Sequence, residues 1–126
     1  MNPYIYAGLP FDEKFNITRV SKTKKVINEV CELKKVSTDD ILSRRRYGEL
    51  VYLRHLVFYM AYISNNPDDS VNGKLTLQKI GDELGFDHAT VLHGIRRIKN
   101  ELSYDIVVQD DVDTLRKILG IVTKID

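Results

Sequence analysis

The sequence predicts an all-α domain built around a helix-turn-helix, with an irregular N-terminal arm. Three observations predict this fold. The 126 residues, 43% hydrophobic and 29% charged, fit one compact domain. Apolar residues recur three and four positions apart in several segments, which is the period of a helix with one buried face. Two such segments meet at Gly85, as is typical of a tight turn between two helices.

Residues 1–22 form the predicted arm, and residues 23–126 form the domain. The arm has no clean period, because three residues that interrupt helices fall within it: Pro3, Gly8 and Pro10. The first helix of the domain is expected from Thr23 onward. Its apolar stripe consists of Val26, Ile27, Val30 and Leu33.

Two further helices flank a run of three arginines. Ser37 or Thr38 is expected to cap a short helix, because both side chains can accept from backbone N–H groups. The long helix that follows, from about residue 46 to residue 64, is the clearest element. One of its faces carries Leu50, Leu53, Val57, Met60 and Ala61. The segment NNPDDSVNG ends it, because proline, glycine and asparagine interrupt helices.

The helix-turn-helix comes next along the chain. Thr76 is the predicted cap of its first helix, whose core positions are Leu77, Ile80 and Leu84. Gly85 is expected to end this helix in the left-handed conformation, and Asp87 is expected to cap the second. The buried stripe of the second helix consists of Val91, Ile95, Ile98 and Leu102.

The C-terminal segment predicts an extended lead-in and a last helix. The lead-in is the β-branched run Ile106, Val107 and Val108. Asp110 or Asp111 is the predicted cap of the helix. Its buried residues are expected to be Val112, Leu115, Ile118 and Leu119.

Charge is distributed unevenly, although the net charge is only +1. Residues 19–35 contain six basic and two acidic residues, and three arginines follow at 44–46. Residues 101–126 reverse the sign, with six acidic and three basic residues. A chain with this distribution can present a basic face to a nucleic acid while remaining nearly neutral overall.

Several classes of function are disfavoured. The sequence contains no GxxxxGK[ST], HExxH, GxSxG or GxGxxG motif, so we expect no enzyme, no bound nucleotide and no cofactor. The single cysteine, Cys31, allows no internal disulfide, and no Cys/His group has the spacing of metal ligands. Without a signal segment or an apolar run of membrane length, we expect a cytoplasmic protein with no membrane partner.

The second helix of the pair begins with side chains that lie off its buried stripe. They are Asp87, His88, Ala89 and Thr90, followed by His93, Arg96 and Arg97. In a helix-turn-helix, the first turn of the second helix contacts base edges in the major groove. Thr90 and His88 can hydrogen-bond to bases, a carboxylate can accept from cytosine, and a methyl group can contact thymine. The alternative is that Asp87 only caps the helix and the others are surface residues.

Other basic side chains suit the DNA backbone. In the run Arg44, Arg45 and Arg46, an arginine can enter an A/T-rich minor groove, and the alternative is a solvated charge run. Contacts with phosphates position a protein without reading sequence. We assign such contacts to Arg44, Arg54, His55, Lys24, Lys25, His93 and Arg97.

The segment GDELGFDHATVLHGIRRI, residues 81–98, closely resembles the signature of the C-terminal DNA-binding domain (domain IV) of bacterial replication initiators, the DnaA family. The segment VSTDDILSRRR, followed by a long apolar helix, resembles the upstream half of the same domain. The resemblance covers residues 24–119. It implies a Trp-repressor-like helical domain that binds duplex origin boxes.

The resemblance also implies roles for individual residues. In the family an Asp-His-Thr-Thr quartet reads bases, which carries onto Asp87, His88 and Thr90, with Ala89 at the third position. It implies that Arg46 is the minor-groove arginine, and that Arg54 and His55 contact phosphate. The chain departs from the family pattern in a turn one residue shorter and at four positions: Phe86, Ala89, Gly48 and Glu49.

We therefore predict a sequence-specific protein that binds double-stranded DNA. The ATPase module that precedes this domain in the family does not fit in 126 residues, so we expect no ATP-driven melting of an origin. The sequence leaves three biological roles open: origin binding, regulation of transcription or replication, and a role in a phage or mobile element. The alternative is an interaction or structural protein that lost DNA binding. A protein partner could bind the N-terminal arm or the acidic C-terminal region.

Overall fold

A computed structural model describes residues 21–43, 48–65 and 73–121 of the chain. Within these residues it contains six helices and no strand, which confirms the predicted all-α fold. The helices are α1 (Lys22–Lys34), α2 (Thr38–Leu42), α3 (Gly48–Asn65), α4 (Gly73–Leu84), α5 (His88–Glu101) and α6 (Ile106–Leu119). Residues 1–20 of the predicted arm and the arginines 44–46 lie outside the described residues. Lys22, the last residue of the predicted arm, begins α1.

Helix α3 is the centre of the domain. Its side chains from Leu53 to Ile63 are buried, except for the half-buried His55, so the other helices surround it. Each of the surrounding helices contributes one buried face. Their fully buried side chains include Val26, Val30, Ile41, Ile80, Ile98 and Leu115. Leu33, Leu50 and Leu102, which were predicted as core, are only half-buried because they lie at or near helix ends.

Serine side chains cap the first two helices. The Ser21 hydroxyl accepts from the backbone N–H of Lys24 at 3.1 Å, and the Ser37 hydroxyl accepts from that of Asp40 at 3.1 Å. The sequence offered Ser37 or Thr38 as the cap of α2, and Ser37 is therefore the residue that caps it. Thr38 instead places its hydroxyl 3.4 Å from the thiol of Cys31, between α1 and α2.

Two predicted helix starts are wrong. Helix α4 begins at Gly73, so Thr76 is its fourth residue and not its cap. Helix α6 begins at Ile106, within the segment that was predicted to be extended. The Asp105 carboxylate accepts from the backbone N–H groups of Val107 at 2.9 Å and Val108 at 3.4 Å. These two bonds satisfy the first donors of the helix, which offsets the β preference of the run.

Asp111, a predicted cap, is instead a buried link between three helices. Its Oδ1 accepts from Lys34 Nζ on α1 at 2.9 Å, and its Oδ2 accepts from the Tyr52 hydroxyl on α3 at 2.7 Å. Burial, and secondly this hydrogen bond, raise the pKa of Tyr52 above its usual range. The prediction that Ile118 and Leu119 are buried is also wrong, because 46% of Ile118 is exposed and Leu119 is only half-buried.

Candidate nucleic-acid interface

Helices α4 and α5 form the predicted helix-turn-helix, and Gly81 and Gly85 make its turn. Gly85 has a φ of 85°, in the left-handed region that glycine adopts without strain. The Gly81 carbonyl accepts from the backbone N–H groups of Gly85 at 2.8 Å and Phe86 at 2.9 Å. A Cβ on Gly81 would collide with the carbonyl oxygen of Phe86. Sequence reasoning missed Gly81, although an isolated glycine within a helical pattern often has a packing reason.

Phe86 anchors the turn to the core. Its ring lies edge-on to the ring of Phe58 on α3, with the centroids 5.4 Å apart. The guanidinium carbon of Arg54 lies 5.8 Å from the Phe86 centroid, within the range of a cation–π contact. Phe86 therefore has a packing role: it holds the start of α5 against α3.

Helix α5 crosses α3 closely at Gly94. A Cβ at Gly94 would lie 2.7 Å from a ring carbon of Phe58 and 2.8 Å from one of His55. This approach brings the ring of His55 to 5.7 Å from that of His93, measured between centroids and with the rings nearly perpendicular. Burial is the main cause that lowers the pKa of His55 to about 4, and nearby His93 and Arg97 lower it further. His55 is therefore uncharged near neutral pH.

The first turn of α5 faces solvent. Asp87 caps the helix, with its Oδ1 accepting from the backbone N–H of Thr90 at 2.8 Å. His88, Ala89 and Thr90 are exposed. Further along the helix, His93, Arg96 and Arg97 are exposed as well. The opposite side of α5 is buried through Val91, Gly94, Ile95 and Ile98.

An open groove of about 720 Å³ lies between α3 and α5. Side chains of both helices and of the turn before α5 line it. Seven of the predicted site residues are among them: Arg54, His55, Asp87, Ala89, Thr90, His93 and Arg97. His88 does not line the groove. The lining residues from α3 are Gly48, Val51, Tyr52, Arg54, His55 and Phe58. From the turn and α5 they are Phe86, Asp87, Ala89, Thr90, His93, Arg97 and Glu101. Lys24 and Lys25 are exposed on α1, outside this groove.

Arg54, which the sequence assigned to a phosphate contact, is a buried residue of α3. Its Nε donates to the carbonyl of Ile41 at 2.8 Å, and its Nη2 donates to the carbonyl of Ser43 at 2.7 Å. Bonds from a charged donor are stronger than neutral ones. The guanidinium therefore holds the end of α2, immediately before the arginines at 44–46, in a fixed position against α3.

One acidic residue of the groove was missed by sequence reasoning. Arg97 Nη2 lies 3.2 Å from Glu101 Oε2, one helical turn away. The spacing of four residues on a predicted helix was the available signal for this ion pair. Among the described residues, no group of three or more histidine, cysteine or acidic side chains is placed to hold a metal ion. None of the helices in this part of the chain is long and apolar enough to cross a membrane.

Comparison with known proteins identifies the family to which this chain belongs. The family model described as the bacterial dnaA protein helix-turn-helix matches residues 23–98. The chromosomal replication initiator protein DnaA of Thermoanaerobacter sp. (strain X514) is 32% identical over 102 residues, which are 81% of this chain and 21% of that protein. The protein of the same name from Limosilactobacillus reuteri (strain DSM 20016) is 35% identical over 89 residues, 70% of this chain and 18% of that protein.

The chain spans about a fifth of the length of these curated relatives. No solved structure gives a significant match. The family match covers α1 from its second residue, α2, α3, α4 and α5 as far as Ile98, and thus every residue that lines the groove except Glu101. The chain therefore belongs to the family of bacterial DnaA helix-turn-helix domains.

Proposed function

We propose that this protein binds double-stranded DNA sequence-specifically, with the first turn of α5 in the major groove. The observation that carries the proposal is the exposure of His88, Ala89 and Thr90 on a helix whose other side is packed against α3. The relatives are named as chromosomal replication initiators, which favours target sites related to origin boxes. Duplex binding is the only activity of an initiator that we assign to this chain.

The first turn of α5 carries groups that fit base edges. The Thr90 hydroxyl and the His88 imidazole can hydrogen-bond to bases, and the Ala89 methyl can contact the methyl of thymine. Asp87 fixes the backbone of this turn through its bond to Thr90, and its carboxylate is the group suited to cytosine. Because Ala89 lacks the hydroxyl of the family quartet, we expect the preferred box to differ from the family's by about one base pair.

Backbone contacts in this proposal surround the base-reading turn. Arg45 and Arg46 enter the minor groove from the segment between α2 and α3, and Arg44 contacts phosphate. Arg54 acts as a positioning residue for that segment through its bonds to two carbonyls at the end of α2. The other phosphate contacts are assigned to Lys24, Lys25, His55, His93 and Arg97.

Selection from a random duplex library tests the proposal. The full chain should enrich one sequence, and fluorescence anisotropy should then give a lower Kd for the selected duplex than for a scrambled one. Thr90→Ala should reduce this preference by about 5- to 150-fold, the value of one good base contact. Lys24→Ala is the control, because loss of a phosphate contact should weaken both duplexes equally. Equal weakening of both duplexes by Thr90→Ala would refute direct base reading.

A second candidate function is protein binding at the start of α6. Three large apolar side chains are exposed there in one short stretch: Tyr104 by 67%, Ile106 by 75% and Val107 by 58%. Exposed apolar patches are frequent at protein interfaces. Failure of the selection to enrich any sequence, with a folded protein, would favour this function over DNA binding.

A further inference from the structure

The ion pair between Arg97 and Glu101 lies inside the groove and not on an outer face of α5. Both side chains line the groove, as does Tyr52 on α3. The Glu101 side chain is only 18% exposed, whereas that of Arg97 is 56% exposed. The carboxylate is therefore the more buried member of the pair and less screened by solvent than an ordinary surface acid.

Arg97 is the groove cation best placed to meet a phosphate. The other arginine that lines the groove, Arg54, directs its Nε and Nη2 to the carbonyls of Ile41 and Ser43. His55 is uncharged near neutral pH, because its pKa is lowered to about 4. The strength with which this groove attracts phosphate therefore depends largely on Arg97, and Glu101 offsets that charge from 3.2 Å away.

We propose that Glu101 competes with DNA phosphate for Arg97 and so holds the DNA affinity of this protein below the value its cations would give. The inference rests on the proposed function and concerns how strongly the same groove binds. Because 56% of the Arg97 side chain is exposed, a phosphate can reach the guanidinium and displace the carboxylate. After displacement the carboxylate still repels the phosphate. An arginine that is already neutralised also releases fewer counterions when DNA binds.

The variant Glu101→Gln tests this inference, with Asp113→Asn as a matched control. Asp113 forms the same kind of pair with Lys117 on α6, at 3.3 Å, outside the groove. Each variant removes one negative charge and one ion pair between residues four apart, so the change in net charge is the same. Only E101Q changes the charge inside the groove.

The expected result is a tighter complex for E101Q with both the selected and the scrambled duplex, by about 3- to 10-fold at low salt. The slope of log Kd against log salt concentration should steepen by up to about 0.9, the value for one further phosphate contact. D113N should change the Kd by less than about twofold, since its site is solvated and distant from the groove. Circular dichroism checks that both variants are folded.

The double variant R97A/E101Q tests whether Glu101 lowers DNA affinity through Arg97. If Glu101 acts by occupying Arg97, most of the gain from E101Q should vanish when Arg97 is already alanine. A gain that persists in full, or an E101Q complex no tighter than that of D113N, overturns the inference while leaving the proposed function intact. If the wild-type protein and E101Q both bind no duplex, the proposed function fails and this inference fails with it.

Discussion

Replacing Gly81 by alanine should destabilise the domain, although alanine is the better helix former. The intrinsic gain is about 1 kcal/mol for a glycine inside a helix. Against it, the new Cβ would collide with the carbonyl oxygen of Phe86, and overpacking costs about 1–3 kcal/mol or more. The turn cannot move away without weakening the bonds from Gly85 and Phe86 to the Gly81 carbonyl, each contributing about 1 kcal/mol. We expect a net loss of about 2 kcal/mol.

Urea denaturation followed by circular dichroism at the helical band measures this loss. Gly48→Ala is the matched control, because a Cβ on Gly48, the first residue of α3, would meet nothing within 4 Å. That variant should change the free energy of unfolding by no more than a few tenths of a kcal/mol, because the glycine penalty applies to helix interiors. The same chemical change is thus expected to destabilise the protein at Gly81 and to have little effect at Gly48.

The consequence for DNA binding can be measured without denaturant. Asp87 follows Phe86 directly, so a displaced turn would move the cap of α5 and the residues that we assign to base reading. Gly81→Ala should therefore reduce the preference for the selected duplex. A Gly81→Ala protein as stable as the wild type would refute the packing argument for this turn.

Two further predictions concern α3. Arg54→Lys should lower the free energy of unfolding by about 2 kcal/mol in urea denaturation. The reason is that an ammonium group cannot reproduce both bonds to the Ile41 and Ser43 carbonyls. An unchanged denaturation midpoint would contradict this prediction. The pKa of His55 is lowered from 6.5 to about 4, so between these values the unfolded chain binds a proton that the folded chain does not. Stability should therefore fall by about 1 kcal/mol, after allowance for solvent screening, as the pH drops from 6.5 to 4. Thermal melts should show this loss reduced in His55→Gln and retained in His88→Gln, whose site is exposed.

Local patterns in the sequence were sufficient for the order of the helices and for the turn, although they misplaced the starts of α4 and α6. The stripe of α5, the Asp87 cap and the left-handed Gly85 all depend on residues within one or two helical turns of each other. Such short-range determinants can be inferred from spacing alone. They also identify which side of α5 faces away from the core, and hence the exposed residues on which the proposed DNA contacts depend.

The tertiary structure decided which residues of other helices each side chain contacts. A long apolar helix that is covered on nearly every side has no polar face, so Arg54 became a buried anchor and not a surface cation. Asp111 similarly became a buried link to Lys34 and Tyr52, residues 77 and 59 positions away along the chain. The close crossing at Gly94 likewise placed His55 against α5. Spacing along one helix cannot specify such contacts, because they depend on how separate helices are oriented after they pack.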